Sequence, residues 1–432
     1  MRTLRRKSHL LMLLLLQKIT VVATASAWHL QTVDIQIENG KITAIAPHLP
    51  VPPQATCFDG AGKYVSGGWL DLGTHSGDPG YEARDTLHTI AAAAAAGGFT
   101  AVACMPNTLP TTTTKADIGY ILRQTQHTAV TFLPIGAVTQ DCAGKLLTEM
   151  YDLQNAGAVA FSDGKNPLQN AGVMLRALQY VKPFGGIVLN QPHDDSLVGG
   201  RGQMHEGLQS TLLGMKGAPA IAEELMLQRD IYLAEYTDSR LHAHCLSAAG
   251  SVALVRAAKQ RGVRITASVA VANLALDDAA LLDFETQYKV FPHLRQSEDR
   301  AALCEGLLDG TIDTVCSNHS PYEEDDKKLE FQYAKYGIIA LETAFAIANT
   351  FTTLSAVQLA EKFGDNPRHL LNLPRLLIAV GETANLTIFD TDTTWVFTPQ
   401  HIRSLSQNTP FLGSTLRGRV YGIVHKGQAV WT

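Results

Sequence analysis

Between residues 66 and 375 short apolar runs alternate with amphipathic segments of helical period. "TAVACMP" leads into "KADIGYILRQT", "AVTFLPIGAV" into "GKLLTEMYDLQNAG", and "RLHAHCLS" into "GSVALVRAAKQRG", with further apolar runs in "GGIVLNQ", "VRITASVAV" and "IDTVCSNHSP". Strands that read as continuous apolar runs are buried on both faces, and helical crossovers between them imply a parallel sheet. Seven or eight such units in about 300 residues favour a closed (β/α)8 barrel over an open doubly wound sheet. The expected class is therefore α/β.

The flanks follow a different period. "VDIQIENGKITAIAP" alternates apolar and polar residues around a turn at Asn39-Gly40, and "GRVYGIVHKGQAVWT" does the same at Lys426-Gly427. Residues 1–65 and 376–432 are thus expected to pair into one small β-sandwich beside a barrel spanning 66–375. The alanine run at 91–96 reads as a closely packing helix ended by Gly97-Gly98. The start, "MRTLRRKSHLLMLLLL", imitates a secretory leader, but Gln17 and Lys18 interrupt it and a strand pattern follows, so a first strand behind a basic tail is expected. With 46% apolar residues and a net charge of −5, neither nucleic-acid nor membrane binding is indicated. Six scattered cysteines without metal-type spacing read as reduced, buried thiols of a cytoplasmic protein.

Catalytic groups of a barrel project from the C-terminal ends of its strands. The polar residues there are His75, Asn107, Asp163, His193, Asn273, Asn318 and His319, with His242 and His244 in "RLHAHCLS". Histidines and carboxylates recurring at strand ends suggest a hydrolytic metal site. His242 and His244 are expected to divide between the barrel interior and its helix-facing side. The acidic run "YEEDDKK" at 322–328 reads as a solvated loop.

In the order and spacing of "DPGYEARDT", "MPNTLP", "GAVAFSDGKNPLQNAG", "MHEGLQS", "KVFPHLRQSEDR", "GTIDTVCSNHSPYEEDDKK" and "NTPFLGSTLRGRVYGIVHKG", the chain resembles the dihydroorotase family of the amidohydrolase superfamily along nearly its whole length. The resemblance implies a (β/α)8 barrel with a terminal β-sandwich. It also implies a zinc centre that delivers hydroxide to the cyclic amide of dihydroorotate in pyrimidine synthesis.

The same resemblance exposes departures. Where the family shows Asp-x-His-x-His-x-Arg-x-Pro-Gly, this chain has Asp71, Gly73, His75, Gly77 and Pro79-Gly80. Asp163 and Gly164 stand at its Asp-Asp pair, leaving open which would ligate. His193 lies one residue from a ligand histidine, whose own position falls on Pro192. Asn273 falls in a lost Pro-His-His-Leu, Phe291 in a lost Asn-Pro-Pro-Leu-Arg, and "SNHSPY" replaces Asp-His-Ala-Pro-His. There Asn318 stands at the metal-binding, proton-shuttling Asp, beside His319, and Tyr322 stands at the final His. Of the implied carboxylate grip only Asn107 persists. Paired imidazoles, a proton carrier and an anion-binding Arg are thus absent together.

The reading drawn from these residues is a non-catalytic homologue. It has no catalytic residue and no metal, a vestigial pocket of His75, Asn107, Asp163, His193, Asn273, Phe291, Asn318, His319 and Tyr322, and no cofactor. By resemblance it would act as a scaffold or regulatory partner of aspartate carbamoyltransferase, with a homo-oligomer expected. The alternative is an active zinc-dependent dihydroorotase or related cyclic amidase.

Overall fold

The computed structural model describes residues 13–432, so the leader-like first dozen lie outside the described residues. The stretch "LLLLQKITVV" forms a strand, Leu13–Val22. It pairs antiparallel with Thr32–Glu38, which turns at Asn39-Gly40 into Lys41–Ala46. Strands Leu386–Val396, Thr415–His425 and Gln428–Trp431 join the same eight-stranded sheet through Tyr64–Gly67. Both chain ends therefore build one sheet, as the alternating patterns require.

Eight parallel strands form the second sheet: Trp69–Thr74, Phe99–Cys104, Thr131–Gly136, Ala160–Phe161, Ile187–Asn190, Arg240–Ala243, Ile265–Ala270 and Thr314–Cys316, neighbours in chain order. They are called the first to eighth strands below. The alanine run lies in the helix Leu87–Ala96, capped by Gly97. This is the (β/α)8 barrel with a terminal β-domain.

A buried carboxylate bridges the first and eighth strands where the barrel closes. Asp71 accepts the Ser317 backbone N–H at 2.7 Å, the Ser317 hydroxyl at 2.7 Å and the Thr74 hydroxyl at 2.5 Å. Its burial raises the carboxyl pKa, against those three donors. At the opposite end an aromatic cluster joins barrel to sheet. Trp69 lies 4.9 Å from Phe345 and 5.0 Å from Phe389, the latter on the C-terminal strand Leu386–Val396. Such aromatics each bury about 150–250 Å² and dominate a core. The barrel interior is filled by Leu70, Leu72, Ile135 and Leu189, with Cys245 and Cys316 among them.

Two local expectations change. The acidic run is not a plain loop: residues Glu324–Lys327 form a helical turn, and buried Lys327 donates to the Lys335 carbonyl at 2.9 Å. All six cysteines are free, but Cys57 is exposed and Cys304 half-buried.

Candidate functional site at the barrel mouth

At the end of the first strand, Gly73 has φ +98°. A Cβ there would lie 2.6 Å from Cε1 and Nε2 of His244 and 3.0 Å from the Met105 methyl. Gly77, φ +75°, would place a Cβ 2.9 Å from the carbonyl oxygens of Asp85 and Tyr81. Left-handed backbone disfavours any other residue at these positions. The two positions where the resemblance implies His and Arg are therefore closed to side chains both by torsion and by space. His75 is half-buried and its backbone N–H donates to the His319 carbonyl at 3.0 Å. Burial, with the charge of Lys165 nearby, holds its imidazole well below the usual histidine pKa.

Asp163 and Asn107 meet at the mouth, but each is engaged by a neighbouring loop. Asp163 accepts the Thr139 N–H at 2.9 Å and also the Thr139 hydroxyl. Burial raises its carboxyl pKa. Asn107 donates to the Asp163 carbonyl at 2.9 Å and accepts the Lys165 N–H at 3.0 Å, clamping residues 163–165.

On the facing side His193 packs edge-on against Phe291, ring centroids 5.2 Å apart. Its Nε2 is buried without a hydrogen-bond partner among the described residues, 3.8 Å from Asp195. Burial, outweighing the nearby Asp195 charge, lowers its pKa and favours the neutral ring. Asn318 donates its amide N–H to the Phe291 carbonyl at 2.9 Å, and Asn273 donates to the His293 carbonyl at 3.0 Å. Both asparagines thus act as donors to main-chain oxygens, a role no carboxylate can fill.

His319 uses both ring nitrogens. Nδ1 accepts the Ala340 N–H at 3.2 Å, leaving Nε2 to face Asp85 at 3.4 Å. Tyr322 is held by Lys165, whose ammonium donates to its hydroxyl at 3.1 Å, and Arg84 stacks 4.8 Å from its ring centre. Burial raises the Tyr322 phenol, but the Lys165, Arg84 and Arg201 charges leave it net lowered.

The expected division of His242 and His244 is corrected. They lie two residues apart and share a face. His242 Nε2 lies 3.0 Å and His244 Nδ1 3.1 Å from the same Ser268 hydroxyl.

The fit to a zinc centre follows from these contacts. Among the described residues, one trio of histidine, cysteine or carboxylate side chains brings its donor atoms within reach of a single ion, and it is His244, Cys245 and Cys316. His75, Asp163, His193 and His319 do not form such a set, and Asp163 and His319 are already saturated by protein donors and acceptors. The mouth residues do not fit the hydrolytic metal that the resemblance implies.

Buried neutral histidines near the mouth give a pH dependence. His205 accepts an Arg295 N–H at 3.1 Å, and burial followed by the Arg295 charge pushes its pKa down to about 4. Burial pushes His293 down to about 3. Folded values below an unfolded value of about 6.5 mean that stability is complete above that pH and falls as pH drops toward 4. His205 alone should remove about 3 kcal/mol by pH 4. Urea unfolding at several pH values checks this, with His205→Gln expected to flatten the profile.

The fold is a (β/α)8 barrel with a β-domain built from both ends of the described chain, and comparison with known proteins agrees. L-hydantoinase (dihydropyrimidinase) from Arthrobacter aurescens superposes with a TM-score of 0.84 over 98% of this chain and 96% of that one, at 24% identity, which shows the shared fold. A family described as "Dihydro-orotase-like" matches residues 62–251. The dihydroorotase of Pelotomaculum thermopropionicum is 43% identical over 420 residues, covering 96% of this chain and 98% of that protein. That of Syntrophus aciditrophicus is 41% identical over 403 residues, covering 92% and 94%. The chain belongs to the dihydroorotase family.

Proposed function

We propose that this chain is a dihydroorotase homologue of pyrimidine biosynthesis whose barrel mouth has a structural instead of a hydrolytic role. It would serve as a scaffold or regulatory partner of aspartate carbamoyltransferase. The observation that carries the non-catalytic reading is Asn318. By family resemblance this position holds the proton carrier, yet here its amide donates to the Phe291 carbonyl. A carboxamide has no basic lone pair at neutral pH, and losing a general base forfeits typically a hundredfold to ten-thousandfold in rate. Gly73 and Gly77 support the same reading, because restoring side chains there meets His244 and main-chain oxygens.

A second reading has its own support: relatives about 40% identical over almost the whole chain carry the name dihydroorotase. An active enzyme would need to assemble its site from His75, Asp163, His193, His244 and His319 after a rearrangement. Growth separates the two. Supplied as the sole dihydroorotase of a pyrimidine-requiring host, the chain is expected to leave the requirement intact, and growth without pyrimidine would favour the enzyme. The partner rests on family resemblance. Co-elution of the purified chain with aspartate carbamoyltransferase from the same source is expected, and separate elution with unchanged transcarbamoylase activity would remove it.

A further inference from the structure

We propose that His244, Cys245 and Cys316 form a binding site for a thiophilic divalent cation, Zn²⁺, on the floor of the barrel mouth. The Cys245 and Cys316 sulfurs lie 3.2 Å apart, and His244 Nε2 lies 3.3 Å from the Cys245 sulfur. All three side chains are buried, at 3%, 1% and 0% exposure. In a tetrahedral zinc site with Zn–S of about 2.3 Å, two sulfurs stand roughly 3.8 Å apart, so a small opening of the pair admits the ion.

The imidazole is prepared for ligation. The Ser268 hydroxyl lies 3.1 Å from His244 Nδ1 and also accepts the Cys245 backbone N–H at 2.9 Å. One hydroxyl therefore fixes both the ring and the main chain of the adjacent cysteine, leaving Nε2 aimed at the sulfur. A fixed outer nitrogen is what orients metal-bound histidines generally.

Charge favours the same assignment. The two cysteines sit among aliphatic side chains of the barrel interior. A lone thiolate there would be costly to bury, whereas Zn²⁺ with two thiolates and a neutral imidazole carries no net charge. Binding replaces two S–H protons with two Zn–S bonds and releases two protons to solvent. Cys245 and Cys316 belong to neither reading of the mouth; His244 alone is shared with the active-enzyme alternative, so the two cysteine variants test this site separately from hydrolysis.

The test uses the full chain, reduced and stripped of metal, titrated with Zn²⁺ and separately with Co²⁺ as an absorbing substitute. Expected are one equivalent of Zn²⁺ bound, two protons released, a thiolate-to-cobalt charge-transfer band and a raised Tm. Cys245→Ser and Cys316→Ser should each abolish the band and weaken binding about a hundredfold or more, while Cys57→Ser on the surface changes nothing. If those variants do not fold, alkylation of the wild type gives an independent readout, with Zn²⁺ protecting Cys245 and Cys316 but not Cys57. Absence of the band, undiminished binding in both variants, or metal-independent alkylation of the pair would overturn the proposal. So would recovery of a metal-free Cys245–Cys316 disulfide.

Discussion

Asp71→Ala is expected to destabilise the chain by about 4 kcal/mol or more, read as a lowered urea midpoint. The carboxylate is fully buried and takes three hydrogen bonds, from Ser317 N–H, Ser317 hydroxyl and Thr74 hydroxyl. Truncation leaves all three donors in the interior, and each unsatisfied buried group costs about 1–3 kcal/mol. The damage falls at the seam between the first and eighth strands, where the barrel closes. Asp71→Asn keeps the side chain's shape and two acceptor lone pairs on one oxygen, so its loss should be smaller. Equal losses for the two variants would show that volume, not hydrogen bonding, holds the seam.

Gly73→His should also destabilise, by about 3 kcal/mol or more, although it restores the family's residue. Left-handed backbone costs a non-glycine residue about 1–2 kcal/mol. Inserting atoms into a packed site adds about 1–3 kcal/mol. The conflict begins at Cβ, 2.6 Å from the His244 ring. Gly73→Ala should therefore carry most of the penalty, which separates this cause from any effect of a second imidazole. A Gly73→His variant as stable as the parent would mean that His244 moves aside freely, and the mouth is less committed than its contacts indicate.

These effects explain what could and could not be read from the chain. The barrel was legible because strand–helix units repeat, and the terminal sheet because alternating runs turn at Asn39-Gly40 and Lys426-Gly427. The candidate residues were legible as positions, since strand ends of a barrel share one face. Their bonding was not. Asn318 and Phe291 lie 27 residues apart on separate loops, and nothing in either stretch signals that the amide would meet that carbonyl. The sulfur pair is not legible in the sequence, because Cys245 and Cys316 are 71 residues apart. A usable signal existed: Cys245 lies just beyond the sixth strand and Cys316 ends the eighth, and side chains from alternate strands share a layer in such barrels. The two-residue repeat of a strand alone places His242 and His244 on one face.

The central claim is that the polar groups of the mouth are bonded to one another and to the main chain, and not arranged to open a cyclic amide. Steady-state assay of the purified full chain, in both directions between dihydroorotate and its ring-opened product and with zinc added, tests it most directly. Turnover at background is the expected result, unchanged by zinc even if the cysteine site fills. Zinc-dependent turnover that survives Cys245→Ser and Cys316→Ser but is lost in His75→Ala would contradict it.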